Sequence, residues 1–238
     1  MELKEIIASI KKTEADNQVK RYAVNYSMES AINSVIEIGK AKKASFQIDE
    51  ENRFVYENMI KWLMGDPGFQ CHDVDKDGNK PAIKGDLQKG IYLCGSTGTG
   101  KSWALELLNL LSEIDNIPVV MGGQQKRLKF KSFRTDDVCR EFSSTGDIHR
   151  FKNYPVICFH DLGSDSEPEN SLYMGNRVNV MQSILESRGD QQNLITHISS
   201  NVPFNHALFR ERYSDRVVSR MYEMCNYFEM TGKDRRRS

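Results

Sequence analysis

The sequence lacks the features of membrane-spanning, exported and disulfide-bonded proteins. No run approaches the roughly 20 apolar residues of a membrane-spanning helix. The N-terminal stretch MELKEIIASIKKTEAD has neither the apolar segment nor the cleavage site of a signal peptide. The five cysteines are odd in number and form no CxxC pair, so neither a disulfide framework nor a zinc site is indicated. We therefore expect a cytoplasmic protein with buried, reduced thiols and no membrane contact.

The sequence also lacks an excess of charge of either sign. Its 33 Lys and Arg residues balance 33 Asp and Glu residues, which gives a formal net charge of zero. A protein that coats nucleic acid by bulk electrostatics needs a positive excess, so we expect any DNA contact to be local and to depend on oligomerisation. The 238 residues, 39% of them hydrophobic, suffice for one substantial core and a small accessory segment.

Helical periodicity marks the N-terminal part of the chain. Apolar residues recur at helical spacing over residues 3–10 and again over 28–36, directly after Ser27, which is suited to be an N-cap. A third helix is predicted to begin at Asp49 and to end at Gly65. The apolar stripes of these helices either pack on the rest of the protein or form a surface for partner helices, and the pattern leaves both interpretations open.

From residue 89 onward, short apolar runs alternate with helical segments. This pattern is typical of a parallel sheet that is covered on both faces. The predicted strands are residues 91–94, 128–134, 156–159, 194–199 and 227–230. The sequence therefore predicts an α/β domain over residues 86–238, preceded by a helical, partner-binding segment over residues 1–85.

The clearest motif is a phosphate-binding loop. The run GSTGTGKS matches GxxxxGK[ST] in full, directly after the strand GIYLC and directly before an apolar helix. Glycines let backbone N–H groups surround a phosphate, and the helix N-terminus adds the positive end of its dipole. Lys101 is expected to reach the β and γ oxygens, and Ser102 to ligate Mg²⁺. The predicted site for ATP and Mg²⁺ is Gly95, Ser96, Thr97, Gly98, Thr99, Gly100, Lys101 and Ser102.

A second apolar run, VICFHDLG, ends in the acidic residue Asp161. Such a strand is typical of Walker B, in which a carboxylate serves the Mg²⁺ shell. Many P-loop ATPases carry two acidic residues here, whereas this sequence has His160 in the first place. Mg²⁺ prefers oxygen ligands, so Asp161 is the predicted metal ligand and catalytic carboxylate, and hydrolysis is expected to be slow. Whether His160 faces the nucleotide or away from it depends on the strand register.

Polar residues also follow the third apolar run, LITHISSN. Asn201 is placed to contact the γ-phosphate or the attacking water, although an Asn before Val-Pro is otherwise a turn former. Farther on, Arg212, Arg216 and Arg220 fall on one helical stripe. Such a stripe is usually a solvated face, but in a P-loop protein these arginines are candidates for a finger that completes a neighbouring subunit's site.

A basic and aromatic run, KRLKFKSFR, occupies residues 126–134. Its lysines and arginines are suited to phosphate contacts and its phenylalanines to base stacking, which together favour single-stranded DNA as a ligand. The same composition is typical of an edge strand that lysines protect from pairing. Both interpretations are open at the level of the sequence.

These motifs resemble the DnaC and IstB group of AAA+ proteins, the bacterial helicase loaders and transposition helpers. The resemblance spans residues 89–236 and rests on GSTGTGKS, HDLG in place of DDLG, THISSN, YSDRVVSRM and GKDRR. It implies a P-loop AAA+ parallel sheet with helices on both faces, and an abbreviated or absent C-terminal lid. It also implies that Arg220 is the arginine finger, with Arg216 as a second candidate, and that Arg236 senses nucleotide within its own subunit.

The resemblance implies an ATPase that forms a homo-oligomer with ATP. The predicted function is a replicative helicase loader, whose N-terminal helices bind a hexameric helicase and whose ATPase domains contact single-stranded DNA. The alternative is an IstB-like transposition helper that assembles on duplex DNA and recruits a transposase. A small-molecule kinase would share the phosphate-binding loop but does not explain Asn201 and the trailing arginines.

Overall fold

The computed structural model describes residues 3–5, 7–9, 19–73, 80–191 and 193–235. The helices are α1 (Met28–Lys42), α2 (Arg53–Met64), α3 (Lys101–Asp115), α4 (Thr135–Thr145), α5 (His149–Asn153), α6 (Val180–Gly189) and α7 (Ala207–Met224), and residues 3–5 and 7–9 are also helical. The strands are β1 (Lys20–Arg21), β2 (Gln70–His72), β3 (Ala82–Lys84), β4 (Gly90–Cys94), β5 (Pro118–Met121), β6 (Gln124–Arg127), β7 (Lys131–Arg134), β8 (Val156–Leu162), β9 (Ser171–Tyr173), β10 (Asn176–Val178), β11 (Ile195–Ser200) and β12 (Cys225–Glu229).

The main sheet has the strand order β3-β2-β12-β4-β11-β8-β7. The strands from β12 to β7 are parallel, and β2 and β3 add an antiparallel edge beside β12. Strand β11 lies between β4 and β8, and its Ser200 pairs with Cys94 on one side and Leu162 on the other. The carboxyl ends of these three strands therefore meet at one edge, which is where open α/β sheets bind ligands.

Helices cover both faces of this sheet, so the predicted fold class is confirmed. On one face, α1, α2 and α3 share a hydrophobic cluster with β4; on the other, α4 to α7 pack around β8 and β11. The central strands β4 and β11 are buried along their whole length, as their uninterrupted apolar runs predicted. Past β12, the described residues as far as 235 contain no helix, in agreement with the abbreviated lid.

Local signals account for the helix ends. The Ser27 side chain accepts the Ser30 N–H and caps α1, as predicted. Gly65 ends α2 in the left-handed conformation, with φ of +67°. The predicted start at Asp49 is wrong by four residues: residues 50–52 form a turn in which Asn52 accepts the Asp49 N–H, and the helix begins at Arg53.

The strand predicted over residues 128–134 is only partly correct. Leu128 and Phe130 are buried in the core, at 0% and 2% exposure, and they separate two strands with different partners. β6 pairs with β5 in a small three-stranded sheet, whereas β7 joins the main sheet beside β8. The composition predicted a strand here. It did not predict that the chain passes from one sheet to the other, because that depends on where the Leu128 and Phe130 side chains are buried.

The N-terminal helices bury their apolar stripes inside the protein. Ile32 and Val35 of α1 and Trp62 of α2 belong to the same cluster as Leu105 of α3. The guanidinium of Arg21 lies 4.5 Å from the centre of the Trp62 ring and donates to the Trp62 carbonyl oxygen at 2.6 Å. The core thus runs without a break across the predicted boundary after residue 85, and the partner-binding role of residues 1–85 stays a prediction. In the described chain, none of the helices is both long and apolar enough to cross a membrane.

Candidate nucleotide-binding site

The phosphate-binding loop joins β4 to α3 at the carboxyl edge of the sheet. Gly98 and Gly100 have φ of +85° and +99°, a region that residues with a β-carbon adopt at a cost. A β-carbon on Gly98 would also overlap the carboxylate of Asp234. The backbone conformation therefore favours glycine at position 98, and its missing β-carbon leaves room for the Asp234 side chain of the C-terminal tail, residues 230–235.

The loop lysine meets the asparagine that follows β11. The Lys101 Nζ donates to the Ser96 carbonyl oxygen and to the Asn201 Oδ1, both at 2.8 Å. Lys101 is 5% exposed, so its ammonium group is held at the loop rather than in bulk solvent. The fold therefore brings together two candidate residues that are 100 positions apart in the chain.

Behind the loop, a buried serine joins the ends of three elements. The Ser199 Oγ lies 3.2 Å from the Ser102 Oγ, 3.4 Å from the His160 Nδ1 and 3.2 Å from the Asp161 nitrogen. Ser199 is fully buried in β11. Its place in the site could not be predicted from the sequence, because a serine within an apolar strand gives no indication of which neighbours it will face.

His160 lies inside the sheet beneath the site and does not line the cavity beside the loop. It is 6% exposed, and its Nε2 lies 3.6 Å from the Cys158 Sγ. Burial lowers the pKa of His160 below its ordinary value because the charged imidazolium loses its hydration. His160 therefore points toward Ser199 behind the loop, and it reaches Ser102 only through Ser199.

Asp161 occupies the end of β8 in an uncommon conformation. Its φ is +62°, a left-handed value that Asp adopts more readily than most residues. Its carboxylate lies 3.1 Å from the Arg134 guanidinium at the end of β7. Arg134 was not among the predicted site residues, because nothing in the sequence shows that β7 and β8 end side by side. A cation at this carboxylate would have to compete with the Arg134 charge.

A cavity of about 320 Å³ adjoins the loop, within the usual range for small-molecule sites of roughly 300 to 1,000 Å³. Aromatic rings from the N-terminal part of the chain form its far wall. The Phe46 ring meets the Tyr56 and Trp103 rings edge to face, with centroids 6.0 and 5.6 Å apart. The lining residues are Lys43, Ser45, Phe46, Gln47, Asn52, Tyr56, Thr97, Gly98, Thr99, Gly100, Lys101, Ser102, Trp103, Asp161, Asn201, Lys233 and Arg235.

The sequence predicted only part of this cavity lining. The phosphate side follows from the motif, but Phe46, Asn52 and Tyr56 were assigned to the partner-binding segment. Rings and amide groups beside a phosphate-binding loop are suited to the flat, polar-edged base of a nucleotide. The N-terminal segment therefore contributes one wall of the candidate site.

The C-terminal tail closes another side of the cavity. The Arg235 N–H donates to the Gly98 carbonyl oxygen at 3.0 Å, and its guanidinium binds both oxygens of Asp49 at 2.7 and 2.8 Å. The Lys43 Nζ donates to the Arg235 carbonyl oxygen at 2.6 Å. Arg236, the predicted sensor, lies outside the described residues, whereas its neighbour Arg235 lines the cavity.

The two finger candidates lie elsewhere, on α7. Arg216 and Arg220 both pair with Asp190, Arg216 at 3.1 Å, and Arg220 also binds Glu223 at 2.7 Å. Neither residue lines the cavity. Arg212, on the same predicted stripe, instead pairs with the buried Glu167. The structure does not bring Arg216 or Arg220 to this chain's own phosphate-binding loop.

In the basic run over residues 126–134, charged side chains are exposed, whereas the phenylalanine rings pack against the rest of the protein. The four residues of β6 are exposed at the edge of their sheet, whereas Phe130 is buried. The Phe133 ring packs edge to face on Phe151, with centroids 5.0 Å apart. Stacking of a base on Phe130 is thus excluded, and the structure favours the protected edge strand.

Residues that suit Mg²⁺ are present at the loop. The Ser102 hydroxyl and the Asp161 carboxylate both line the cavity, and such oxygen groups are the ligands that Mg²⁺ prefers. The described chain contains no cluster of three His, Cys, Asp or Glu side chains arranged to hold a metal. A Mg²⁺ ion would therefore depend on phosphate oxygens and water for its remaining ligands, as is usual at nucleotide sites.

No protein-family model matches the sequence, and no curated protein matches it. Among solved structures, the chain is similar to a protein from Streptococcus pyogenes serotype M3 described as a "putative primosome component", with 20% identity and a TM-score of 0.51 over 79% of this chain and 83% of that one. It is also similar to a DnaC helicase loader (16%, TM-score 0.48, 79% and 95%) and to AMPPCP-bound DnaA from Aquifex aeolicus (16%, TM-score 0.47, 82% and 50%). The likeness to the Streptococcus pyogenes protein shows a shared fold.

Proposed function

We propose that the protein is a Mg²⁺-dependent ATPase that acts as a DnaC-like replicative helicase loader in DNA replication. The observation that carries the ATPase proposal is the position of Lys101, which contacts both the loop carbonyl of Ser96 and Asn201 at the edge of the cavity. A lysine, an amide and a carboxylate converge there on a loop built to hold phosphate.

Each residue has a distinct task in this proposal. Lys101 exchanges its two carbonyl partners for β- and γ-phosphate oxygens, and the N-terminus of α3 adds its dipole. Asn201 orients the attacking water, and Asp161 accepts its proton. A Mg²⁺ ion held by the Ser102 hydroxyl and the Asp161 carboxylate would supply positive charge to offset that of the phosphates. Slow turnover follows because Asp161 is the sole carboxylate lining the described cavity and already pairs with Arg134.

Two observations support an assembly rather than a self-contained enzyme. Arg216 and Arg220 lie away from their own cavity, as expected for a finger that serves a neighbour. At the N-terminus, the helical residues Leu3 and Ile7 are 72% and 44% exposed, which leaves apolar side chains for a partner protein. The partner is proposed to be a hexameric replicative helicase, with single-stranded DNA held nearby.

The choice of a loader rests on the sequence resemblance and accords with the primosome description of the Streptococcus pyogenes protein. An IstB-like transposition helper would use the same site, so the partner decides between them. Capture of purified hexameric helicase by the ATP-bound protein supports the loader. Capture of a transposase without helicase would replace the loader by the alternative.

The nucleotide part of the proposal is tested with Lys101→Ala. Removal of an ammonium group that binds phosphate oxygens is expected to weaken ATP binding at least about tenfold, since charged hydrogen bonds contribute roughly 1.5 to 3 kcal/mol. Titration with a fluorescent ATP analogue measures this. Lys126→Ala, which removes an equal charge from the exposed edge strand, is the control. Equal affinities of both variants would show that the loop is not the binding site.

A further inference from the structure

The hydroxyl of Ser199 is shared by three groups around the candidate cation site. Its distances are 3.2 Å to the Ser102 Oγ, 3.4 Å to the His160 Nδ1 and 3.2 Å to the Asp161 nitrogen. The residue is fully buried, so water is not freely available to replace any of these partners. With a cation on Ser102, the hydrogens that the four groups possess set the directions of these hydrogen bonds.

A serine hydroxyl has one hydrogen and two acceptor lone pairs. The Asp161 N–H can only donate, and it uses one lone pair of Ser199. A Ser102 oxygen that ligates a cation must direct its lone pair to that cation, so its hydrogen needs another acceptor. The second lone pair of Ser199 is in place to accept it.

The hydrogen of Ser199 then needs an acceptor of its own. With both lone pairs used, the remaining neighbour is the His160 Nδ1, which accepts a hydrogen bond only when the ring is neutral and carries its hydrogen on Nε2. The Cys158 Sγ lies 3.6 Å from that Nε2 and 4.0 Å from the Nδ1, so it packs beside the ring and is not in line with the Nε2–H bond. The hydroxyl hydrogens of Ser102 and Ser199 thus each have one donor and one acceptor.

We propose that Ser199 and His160 are positioning residues that act through Ser102, forming a relay from Ser102 to Ser199 to His160 that turns the Ser102 hydrogen away from the cation. The inference rests on the proposed function, because it assigns the relay to a Mg²⁺-nucleotide site. It gives His160 a role other than that of a metal ligand: the imidazole is the terminal acceptor of the relay. No proton is transferred at any step.

The relay is tested by comparing nucleotide affinity in Mg²⁺ with affinity in excess chelator, using a fluorescent ATP analogue and the full-length protein. Ser199→Ala and His160→Leu remove a member of the relay. Both variants are expected to lose about tenfold of the affinity that Mg²⁺ adds, while affinity in chelator stays close to that of the wild type. His160→Asn offers an amide oxygen near the Nδ1 position and is expected to retain most of the Mg²⁺ effect.

Ser200→Ala is the matched control. Ser200 is equally buried in the same strand, but its hydroxyl donates to the Leu162 carbonyl oxygen at 2.7 Å. A purely structural effect would change affinity with and without Mg²⁺ alike, and would appear in Ser200→Ala as well. If Ser199→Ala does not fold, the contrast between His160→Leu and His160→Asn decides the question.

Two results would overturn the relay. One is a Mg²⁺ effect of wild-type size in Ser199→Ala and His160→Leu, and the other is a wild-type protein that binds nucleotide equally well in Mg²⁺ and in chelator. Failure of the proposed function has a different signature, since the wild-type protein would then bind no nucleotide under either condition.

Discussion

At the scale of single residues, burial sets the charge of the histidines inside the sheet. His197 in β11 is fully buried, between the Trp62 and Phe130 rings at centroid distances of 4.7 and 4.8 Å. Its Nδ1 accepts the Ile91 N–H at 3.2 Å. Burial, with smaller effects from nearby cationic groups, lowers its pKa to about 3. His197 is therefore a neutral hydrogen-bond acceptor for β4 and takes no part in the site chemistry.

The His197 pKa predicts acid sensitivity. Between pH 6.5 and about 3, the unfolded state binds a proton that the folded state does not, so stability falls as the pH is lowered. The expected loss from this residue between pH 7 and pH 5 is about 2 kcal/mol of unfolding free energy. His197→Asn, which does not titrate in this range, is expected to lose that much less than the wild type. Urea denaturation at both pH values measures it.

The comparison of pH slopes isolates His197 from other groups. The pKa values of His72 and His160 are also lowered by burial, and they contribute to the slope of both proteins equally. A variant that is less stable at pH 7 still answers the question, because only the change with pH is compared. Identical slopes for the wild type and His197→Asn would contradict the lowered pKa.

The sequence predicted the site residues that belong to a local motif. It missed those whose place in the site depends on which face of a strand their side chains occupy. Lys101 and Ser102 follow from the spacing of the loop and its flanking strand and helix. Ser199 and Arg134 lie on β11 and β7, the strands on either side of β8, and their contacts with Asp161 depend on strand order and register. A shift of one residue reverses which side chains face the site, and no short pattern in the sequence fixes that register.

At the scale of elements, an ion pair beside the cavity joins the turn before α2 to the C-terminal tail. Asp49 binds the Arg235 guanidinium through both carboxylate oxygens, which is the strongest geometry for such a pair. The pair is partly exposed, with side chains 20% and 32% accessible, so its contribution to stability is expected to be about 1 kcal/mol or less.

The sequence predicted these N-terminal helices but not what they cover. Periodicity identifies which face of a helix is apolar, and it does not say which other element packs on that face. The stripes of α1 and α2 were equally consistent with a partner protein, yet they pack in the core with α3. That packing places Phe46 and Tyr56 at the cavity, which is why the wall they form was not predicted.

Two neighbouring arginines allow a test of the sensor assignment. The cavity lining indicates that Arg235→Ala weakens ATP binding about tenfold, since a charged group that can contact phosphate is lost. Arg236→Ala removes the same charge one position later. Titrations of both variants with ATP and ADP decide between them. A loss of ATP affinity confined to Arg236→Ala would instead support the assignment that the family resemblance implied.

At the scale of the whole molecule, the cavity and the finger candidates are separate surfaces of one chain. Arg216 and Arg220 face Asp190 at the end of α6, whereas the cavity lies at the carboxyl edge of the sheet. Exposed ion pairs of this kind contribute little to stability. We therefore expect the phosphate of a nucleotide bound to another subunit to displace Asp190 easily from these arginines. In the proposed assembly, association of several copies brings an arginine of one subunit to the nucleotide of another.

Arg220→Ala is expected to bind ATP with normal affinity and to hydrolyse it poorly. The missing charge belongs to the site of a neighbouring subunit, where arginine fingers contribute on the order of 10³ to 10⁵ in rate. ATP titration and steady-state hydrolysis at a concentration that supports assembly measure the two effects. Arg210→Ala removes the same charge from the part of α7 that precedes the kink at Ser214, where Arg210 pairs with Asp215, and is expected to retain wild-type turnover.

An experiment that mixes two defective variants decides whether Arg220 acts on its own subunit or on a neighbour. Lys101→Ala protein has an intact finger and a defective loop, and Arg220→Ala protein has the reverse, so each is expected to be nearly inactive alone. A mixed oligomer contains interfaces at which an intact loop faces an intact finger, and these interfaces should restore part of the activity. The restored rate should rise with total protein concentration, because such sites form only on association. If mixed oligomers are shown to form and no activity returns, Arg220 acts within its own subunit or serves only the fold.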